Sequence, residues 1–418
     1  MTAVAPERGV LPTTRVEAGS VTETPPGHRA RLNGLDGFRA LAVIVVVLYH
    51  FDVPGFGGGW IGPELFFVLS GFLITTLMLD ETHRTGRLAV LDFWRRRVRR
   101  LYPAILFLVA ILVPAVAVLT ALGLASTISV SPGSLSSEAF STLGYYANWH
   151  FIQQHVGYFG QTPSLLKHTW SLAIEEQFYL VFPIVFIVTR RMAARSRALP
   201  LLLLGAGALA SAAYAASEAS PSTLNFVYYS TQTNAYHLLI GVCLAIATFR
   251  WRPSEQTARV LDVLSLPAIG VVVVFVEVAA GRRGTPGLWM FRGGSFALDL
   301  AAAALILSLV HGTGRSIVSW VFNLRPIVWI GAVSYGIYLW HYPIGVLFLR
   351  SFPGVSRLII VPALVAATVI AAALSYGCVE VVVREKLLRQ GAFKYGVYAT
   401  GVVAPVLLVV LATSVIRQ

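Results

Sequence analysis

Charged residues are scarce in this chain. Asp, Glu, Lys and Arg make up 12% of its 418 residues, whereas hydrophobic residues make up 56%. A soluble domain cannot bury so much apolar surface in its own core, so lipid must cover the remainder. The composition therefore predicts an integral membrane protein.

Cysteine and strand-like patterns are also scarce. Only Cys243 and Cys378 are present, far apart and inside apolar segments, which argues against a disulfide or a zinc site. We predict no metal site. No stretch of polar and apolar alternation is long enough for a β-barrel, and no short repeat is visible. These absences favour an all-α, polytopic bundle of membrane helices.

Long apolar runs supply the helices of that bundle. About 20 apolar residues are needed to cross the hydrocarbon, and eleven runs approach that length. We therefore predict about 10–11 transmembrane helices. The segment 136–169 is too polar for a simple span and rich in aromatic residues, so we expect interfacial or re-entrant structure that caps a cavity there. The predicted spans are 38–54, 60–79, 102–121, 172–189, 199–216, 231–249, 260–279, 295–311, 328–349, 358–379 and 397–415.

The net charge of +13 is explained by membrane topology rather than by nucleic acid binding. With a cytoplasmic N-terminus, 25 of the 32 Lys and Arg residues fall in inward loops. Such an excess of cations marks the cytoplasmic side of a membrane protein. The usage of alanine, valine and arginine suggests a bacterium of high GC content. We therefore expect a multi-pass protein of a bacterial plasma membrane with its N-terminus in the cytoplasm, and no nucleic acid partner.

The chain divides into three predicted parts. Residues 1–33 are polar and rich in Pro, Thr and Arg, which predicts a disordered cytoplasmic tail. Residues 34–385 hold the membrane domain, and 386–418 hold a cytoplasmic loop and an extra transmembrane helix. A last helix that runs outward and stops leaves open that the native chain continues into an extracytoplasmic domain.

Ionisable residues inside spans are costly and therefore point to function. His50 lies eleven residues after Arg39 in the first span, which places it roughly 16 Å deeper along a helix. It is either a packed core histidine or a general base. Glu175 and Glu176 begin the fourth span, where they either favour the helix dipole or supply one carboxylate that orients a histidine.

Two further groups have both a structural and a functional interpretation. The arginine run 95–100 is either a topology signal that binds anionic lipid or a phosphate-binding cluster. The run 334–343 surrounds His341 with four aromatic residues inside the ninth span. It either lines a cavity or serves close helix packing.

The order of four motifs resembles the membrane acyltransferase-3 family, whose members O-acylate bacterial surface glycans, lipids and some antibiotics. The resemblance covers roughly residues 33–385. The chain departs from the family's usual motifs at two places. It has Pro63-Glu64 where the family commonly has Val-Asp, and the residues that follow Glu380 differ from the family's pattern. The motifs are Gly34-Leu35-Asp36-Gly37-Phe38-Arg39 with His50, Phe66-Phe67-Val68-Leu69-Ser70-Gly71-Phe72 followed by Phe93-Trp94-Arg95-Arg96-Arg97, Trp170-Ser171-Leu172-Ala173-Ile174-Glu175-Glu176-Gln177-Phe178-Tyr179, and Ser334-Tyr335 to Tyr338-Leu339-Trp340-His341-Tyr342-Pro343.

The resemblance implies a cytoplasmic acyl-CoA donor, acetyl-CoA or succinyl-CoA, and a hydroxyl acceptor on an envelope glycan or glycolipid. It implies that His50 is catalytic and that Glu176, or alternatively Glu175, assists it. Arg39, Arg96, Arg97 and Arg100 are expected to bind the CoA portion. The residues expected to contact substrate are Ser70, Trp170, Tyr335, Tyr338 and His341.

Several alternatives remain at the level of sequence. His50 either activates the hydroxyl directly or carries the acyl group as an acyl-histidine. The acceptor is either an envelope glycan or an antibiotic such as a macrolide. A transporter or flippase of envelope precursors is the main rival, although no repeated halves support it. A structural, lipid-binding role is the third hypothesis.

Overall fold

The computed structural model describes residues 26–123, 132–159, 164–193, 196, 198–281, 286–351 and 354–377. Over these ranges all of the regular secondary structure is helical, and no strand is present. Three predictions lie outside the described residues: the tail before residue 26, the eleventh span at 397–415, and the whole segment 386–418.

Fifteen α-helices follow one another in the described part of the chain. Short 3-10 turns at Gly59–Ile61 and Lys167–Thr169 and a π-type turn at Met290–Gly294 precede three of them. The helices are α1 (Pro26–His50), α2 (Gly62–Thr85), α3 (Val90–Ala121), α4 (Pro132–Leu143), α5 (Ala147–Gln153), α6 (Trp170–Ala193), α7 (Ala198–Glu218), α8 (Leu224–Tyr229), α9 (Thr231–Thr248), α10 (Glu255–Val278), α11 (Ser295–His311), α12 (Ile317–Phe322), α13 (Arg325–Ala332), α14 (Ser334–Ser351) and α15 (Arg357–Ser375).

Eight helices of the described part are long and apolar enough to cross a membrane, and a bent pair brings the number to nine. The pair is α13 and α14, which meet at 71°. The expected single span at 328–349 is therefore broken. The expected span at 231–249 forms the 18-residue helix α9, which is not among the eight because its first half is polar. The segment 136–169 contributes only short helices, α4 and α5.

Helix α1 lies inside the bundle and so places its polar residues in the interior. It packs against α13 and α14 and against the turn before α2. The approach is close at two glycines, because a Cβ on Gly37 would meet the carbonyl of Phe322 and a Cβ on Gly331 would meet the carbonyl of Asp36. Its last residue, His50, thereby reaches the wall formed by α14.

Helices α2 and α9 form a second close pair in the described part of the bundle. A Cβ on Gly71 would lie 2.0 Å from the carbonyl oxygen of Leu238, and a Cβ on Gly241 would lie 2.0 Å from that of Val68. Small residues allow such backbone approach, which supplies the packing energy that membrane helices need in lipid. Because the first half of α9 is polar, this contact with α2 helps to hold the helix in the bundle.

We expect Gly241→Ala to destabilise the protein because the added methyl group must push α9 away from α2. The cost of overpacking is about 1–3 kcal/mol, and a clash with backbone belongs at the upper end. The measurement is thermal unfolding in detergent, followed by fluorescence-detected gel filtration. Gly270→Ala is the matched control, since a Cβ at that helical glycine meets nothing within 4 Å; equal melting temperatures for the two variants would contradict the packing argument.

Candidate active site

His50 ends α1 with both ring nitrogens engaged. Its Nδ1 lies 3.0 Å from Nε2 of His341 on α14. Its Nε2 lies 3.1 Å from the hydroxyl of Tyr158, in the loop after α5. Three separate segments of the chain therefore meet at one imidazole.

The hydrogen bonds of His341 determine the tautomer of both neutral histidines. Nδ1 of His341 lies 2.7 Å from the carbonyl of Tyr338 and 3.2 Å from that of Ile337. A carbonyl can only accept, so this Nδ1 carries the proton and Nε2 of His341 presents its lone pair. Nδ1 of His50 must then donate to it, and Nε2 of His50 accepts from Tyr158. We assign the tautomers from this network of acceptors and donors.

Rings of histidine and tyrosine surround the pair. Tyr342 lies edge-on to His50 with ring centroids 4.9 Å apart, and it stacks on His168 at 5.0 Å. His168 is fully buried, and neither of its ring nitrogens makes a hydrogen bond of normal geometry within the described residues. It lies beside the carbonyl of Leu339, which Pro343 deprives of its helical N–H partner.

A cavity of about 360 Å³ lies between α1, α2, α3, α6 and the α13–α14 pair. Its lining is mainly apolar, with a few polar groups that include three arginines. The lining residues are Leu35, Asp36, Arg39, Pro63, Phe66, Phe67, Leu69, Ser70, Leu73, Ile74, Leu77, Arg97, Arg100, Leu101, Ser171, Leu172, Glu175, Tyr179, Gly331, Ala332, Ser334, Tyr335 and Tyr338.

The charge of this cavity is positive on balance. Arg39 pairs with Asp36 at 3.0 Å, and Arg97 lies 4.8 Å above the ring of Tyr179, which also bonds to Ser70. Glu175 is the second carboxylate of the lining. Three guanidinium groups against two carboxylates favour an anionic ligand, and arginine is well suited to phosphate.

Tyr338 joins the cavity to the histidine pair. Its phenol lines the cavity and lies 2.6 Å from the hydroxyl of Ser171, and it donates to the carbonyl of His168 at 2.9 Å. Its backbone carbonyl accepts from His341. Tyr338 therefore lines the cavity and also contacts His341, the hydrogen-bond partner of His50.

The structure brings most of the residues expected from the sequence to this cavity. The lining includes Arg39, Arg97, Arg100, Ser70, Glu175, Tyr335 and Tyr338. His341 is beside His50 instead, where it bonds the base rather than faces the cavity.

Three expected residues lie elsewhere. Arg96 points away from the cavity and bonds to Glu81 at 2.8 Å, because successive helical residues diverge by about 100°. Trp170 is fully buried against Tyr158 and Phe67. Glu176 does not line the cavity either.

Neither glutamate contacts His50 in the described structure. The ring nitrogens of His50 meet a histidine and a tyrosine, and the neighbours of Glu176 include Tyr145 and Arg97. The helper role of Glu176, with Glu175 as its alternative, stays a prediction. The side chain within hydrogen-bond distance of Nδ1 of His50 is His341 instead.

Sequence reasoning did not single out Tyr158, Ser171 or His168 as site residues. The only available signal was the aromatic character of the polar segment 136–169, which suggested a cap over a cavity. Which of its aromatic residues would reach His50 depends on the path of the loop, and no local pattern shows that path.

Comparison with known proteins identifies the family of the chain. The family model described as "Acyltransferase domain", that of the acyltransferase-3 family, matches residues 32–377. The O-acetyltransferase OatA of Staphylococcus aureus (strain NCTC 8325 / PS 47) is 33% identical over 398 residues, covering 90% of this chain and 62% of that protein. No solved structure matches.

Two other curated relatives carry related names. The peptidoglycan O-acetyltransferase OatA of Listeria monocytogenes is 34% identical over 370 residues, 85% of this chain and 56% of that protein. The putative peptidoglycan O-acetyltransferase YrhL of Bacillus subtilis is 36% identical over 337 residues, which cover 77% of this chain and 49% of that protein. The chain spans about half to three-fifths of the length of these relatives. Because the family model matches most of its residues, this membrane protein belongs to the acyltransferase-3 family.

Proposed function

We propose that the protein transfers an acetyl group from cytoplasmic acetyl-CoA to a hydroxyl of a bacterial cell-envelope glycan. The observation that carries the proposal is the position of His50. Its Nδ1 bonds to His341, so the lone pair on Nε2 points away from that partner, and Tyr338 connects the histidine pair to the arginine-lined cavity. The names of the relatives favour acetyl over succinyl and peptidoglycan as the glycan.

The lining of the cavity matches the chemical groups of acetyl-CoA. Arg39, Arg97 and Arg100 bind the phosphates of CoA, and the apolar lining holds the pantetheine arm. The thioester then lies near Tyr338 and Ser171, at the wall next to the histidine pair. Since CoA cannot cross lipid, this wall is where a cytoplasmic donor can meet an acceptor from the other side. The excess of cations in the loops on the arginine side supports a cytoplasmic position for it.

His50 acts as general base in the transfer. Its Nε2 takes up the proton of the acceptor hydroxyl as the oxygen attacks the thioester carbonyl, and the C–S bond breaks. His341 keeps the lone pair on Nε2 and accepts from Nδ1–H of the imidazolium that forms. The proton returns to the departing thiolate, which leaves as CoA–SH. The alternative is an acyl-histidine: Nε2 attacks the thioester carbon as the C–S bond breaks, and the acceptor oxygen then attacks the acyl group as the C–N bond breaks, with the hydroxyl proton ending on the CoA thiolate.

His50→Ala is expected to abolish transfer of label from radiolabelled acetyl-CoA into envelope material by membranes that contain the protein. Fractionation of the labelled material identifies the acceptor and separates a glycan from an antibiotic or lipid. Label that persists in the His50→Ala membranes would remove His50 from the chemistry. Wild-type membranes that label nothing would contradict the proposed function itself.

His341→Ala is expected to lower kcat by about 10²–10⁴, because His50 loses the acceptor that keeps its proton on Nδ1. The KM for acetyl-CoA should change little, since His341 does not line the cavity. The measurement is initial rates of purified protein in detergent. His83→Ala is the control, an exposed histidine bonded to Arg250; equal kcat values for the two variants would show that His341 does not orient the base.

Arg97→Gln and Arg100→Gln are each expected to raise the KM for acetyl-CoA by about tenfold, which corresponds to one lost hydrogen bond to a charged group. Arg96→Gln should have a smaller effect because Arg96 bonds to Glu81 outside the cavity. The three variants remove the same charge from one short segment of α3. An equal rise in KM for all three would mean that overall charge, rather than the cavity, attracts the donor.

A further inference from the structure

The lone pair that His50 needs as a base is already occupied. Nε2 of His50 accepts from the hydroxyl of Tyr158 at 3.1 Å. An imidazole nitrogen has a single lone pair, in the plane of the ring. An acceptor hydroxyl therefore cannot bond to this nitrogen while Tyr158 does, and it must either displace the phenol or react through it.

The side chain of Tyr158 is packed too firmly to be displaced easily. It is 7% exposed, with ring centroids 4.4 Å from Tyr228 and 5.0 Å from Phe159. Its backbone N–H donates to Oδ1 of Asn225 at 2.9 Å. Moving the phenol would break these contacts inside a close-packed cluster, which is costly.

A buried lysine, Lys167, bonds to the backbone of the loop that carries Tyr158. Lys167 is 3% exposed, and its Nζ donates to the carbonyls of Gly157 at 3.0 Å and Tyr158 at 3.5 Å. Burying an ammonium group is expensive, and its cost is offset here by the nearby carboxyl group of Glu138 and by the two carbonyl contacts. They hold the backbone that aims the phenol at His50.

The phenol oxygen of Tyr158 keeps lone pairs for an incoming group. Its own proton is donated to His50. The phenol of Tyr158 also interacts with the hydroxyl of Tyr228, but Tyr228 donates its own proton to the carbonyl of Trp60 at 2.9 Å and so does not donate to Tyr158. A hydroxyl that approaches from the acceptor side can thus donate to Tyr158 without competing for Nε2.

We propose that Tyr158 is a further catalytic residue that relays the acceptor proton to His50, and that Lys167 is the positioning residue that holds it there. This inference rests on the proposed function. As the acceptor oxygen bonds to the thioester carbon, its proton passes to the phenol oxygen of Tyr158. The phenol proton passes to Nε2 of His50 at the same time, so Tyr158 ends neutral, and the proton on His50 later protonates the departing thiolate.

Tyr158→Phe keeps the packed ring and removes only the hydroxyl. It should lower kcat by about 10²-fold while the KM for acetyl-CoA stays within about twofold, because the donor cavity is untouched. Tyr49→Phe is the matched control, since the ring of Tyr49 lies 5.0 Å from that of His50 and its phenol does not bond the ring nitrogens. That variant should retain wild-type kcat.

Lys167→Met removes the ammonium group and keeps the length of the side chain. It should lower kcat by about tenfold through loss of a charge-assisted hydrogen bond. The double variant with Tyr158→Phe should be no slower than Tyr158→Phe alone, because both changes act on one proton transfer. Additive losses would show that Lys167 acts independently of Tyr158.

Single-turnover rates of the wild type in mixtures of H₂O and D₂O give a test without any substitution. Two protons in flight predict a curved dependence on the deuterium fraction, whereas a straight line would overturn the relay. Folded Tyr158→Phe protein with at least half of the wild-type kcat would also overturn it. Wild-type protein that transfers no acetyl group would instead contradict the proposed function, so the two failures are distinguishable.

Discussion

The hydrogen bond between His50 and His341 is the constraint on which the site depends. Its direction follows from the carbonyl of Tyr338, which obliges His341 to donate from Nδ1 and accept on Nε2. A histidine in place of the carboxylate of a catalytic triad keeps the resting pair neutral, which avoids the cost of a buried charge among membrane helices. It also stabilises an imidazolium less than a carboxylate would, so the site relies on geometry to orient the base.

The site has two parts, the arginine-lined cavity and the cluster of histidine and tyrosine around His50, and the charged groups are kept in the first part. The guanidinium groups lie in the cavity, while a neutral cluster of histidine and tyrosine lies beyond its wall. Tyr338 belongs to both parts, through its phenol on Ser171 and its carbonyl on His341. Tyr338 therefore connects the lining of the cavity to His341, the residue that orients His50.

The membrane spans were readable from the sequence because length and apolar composition determine them. The break between α13 and α14 was not, because the run 328–349 has the length of a single span, and the close approach of Gly331 to α1 beside the break is a tertiary contact that the local sequence does not show. The arginine run shows the same limit. Sequence placed Arg96, Arg97 and Arg100 together, but only Arg97 and Arg100 line the cavity, whereas Arg96 pairs with Glu81.

The identity of the groups on His50 lay furthest beyond sequence reasoning, since His341 is 291 positions away and Tyr158 is 108. Physical reasoning does explain why some partner must be there. A base nitrogen with an open lone pair, buried away from water, would be an unsatisfied polar atom at a cost of about 1–3 kcal/mol. A tyrosine can satisfy that nitrogen as a donor and still accept from a substrate hydroxyl, whereas a carboxylate could not donate and a backbone N–H could not relay. The need to keep a buried base hydrogen-bonded while it remains reachable therefore favours a phenol at this position.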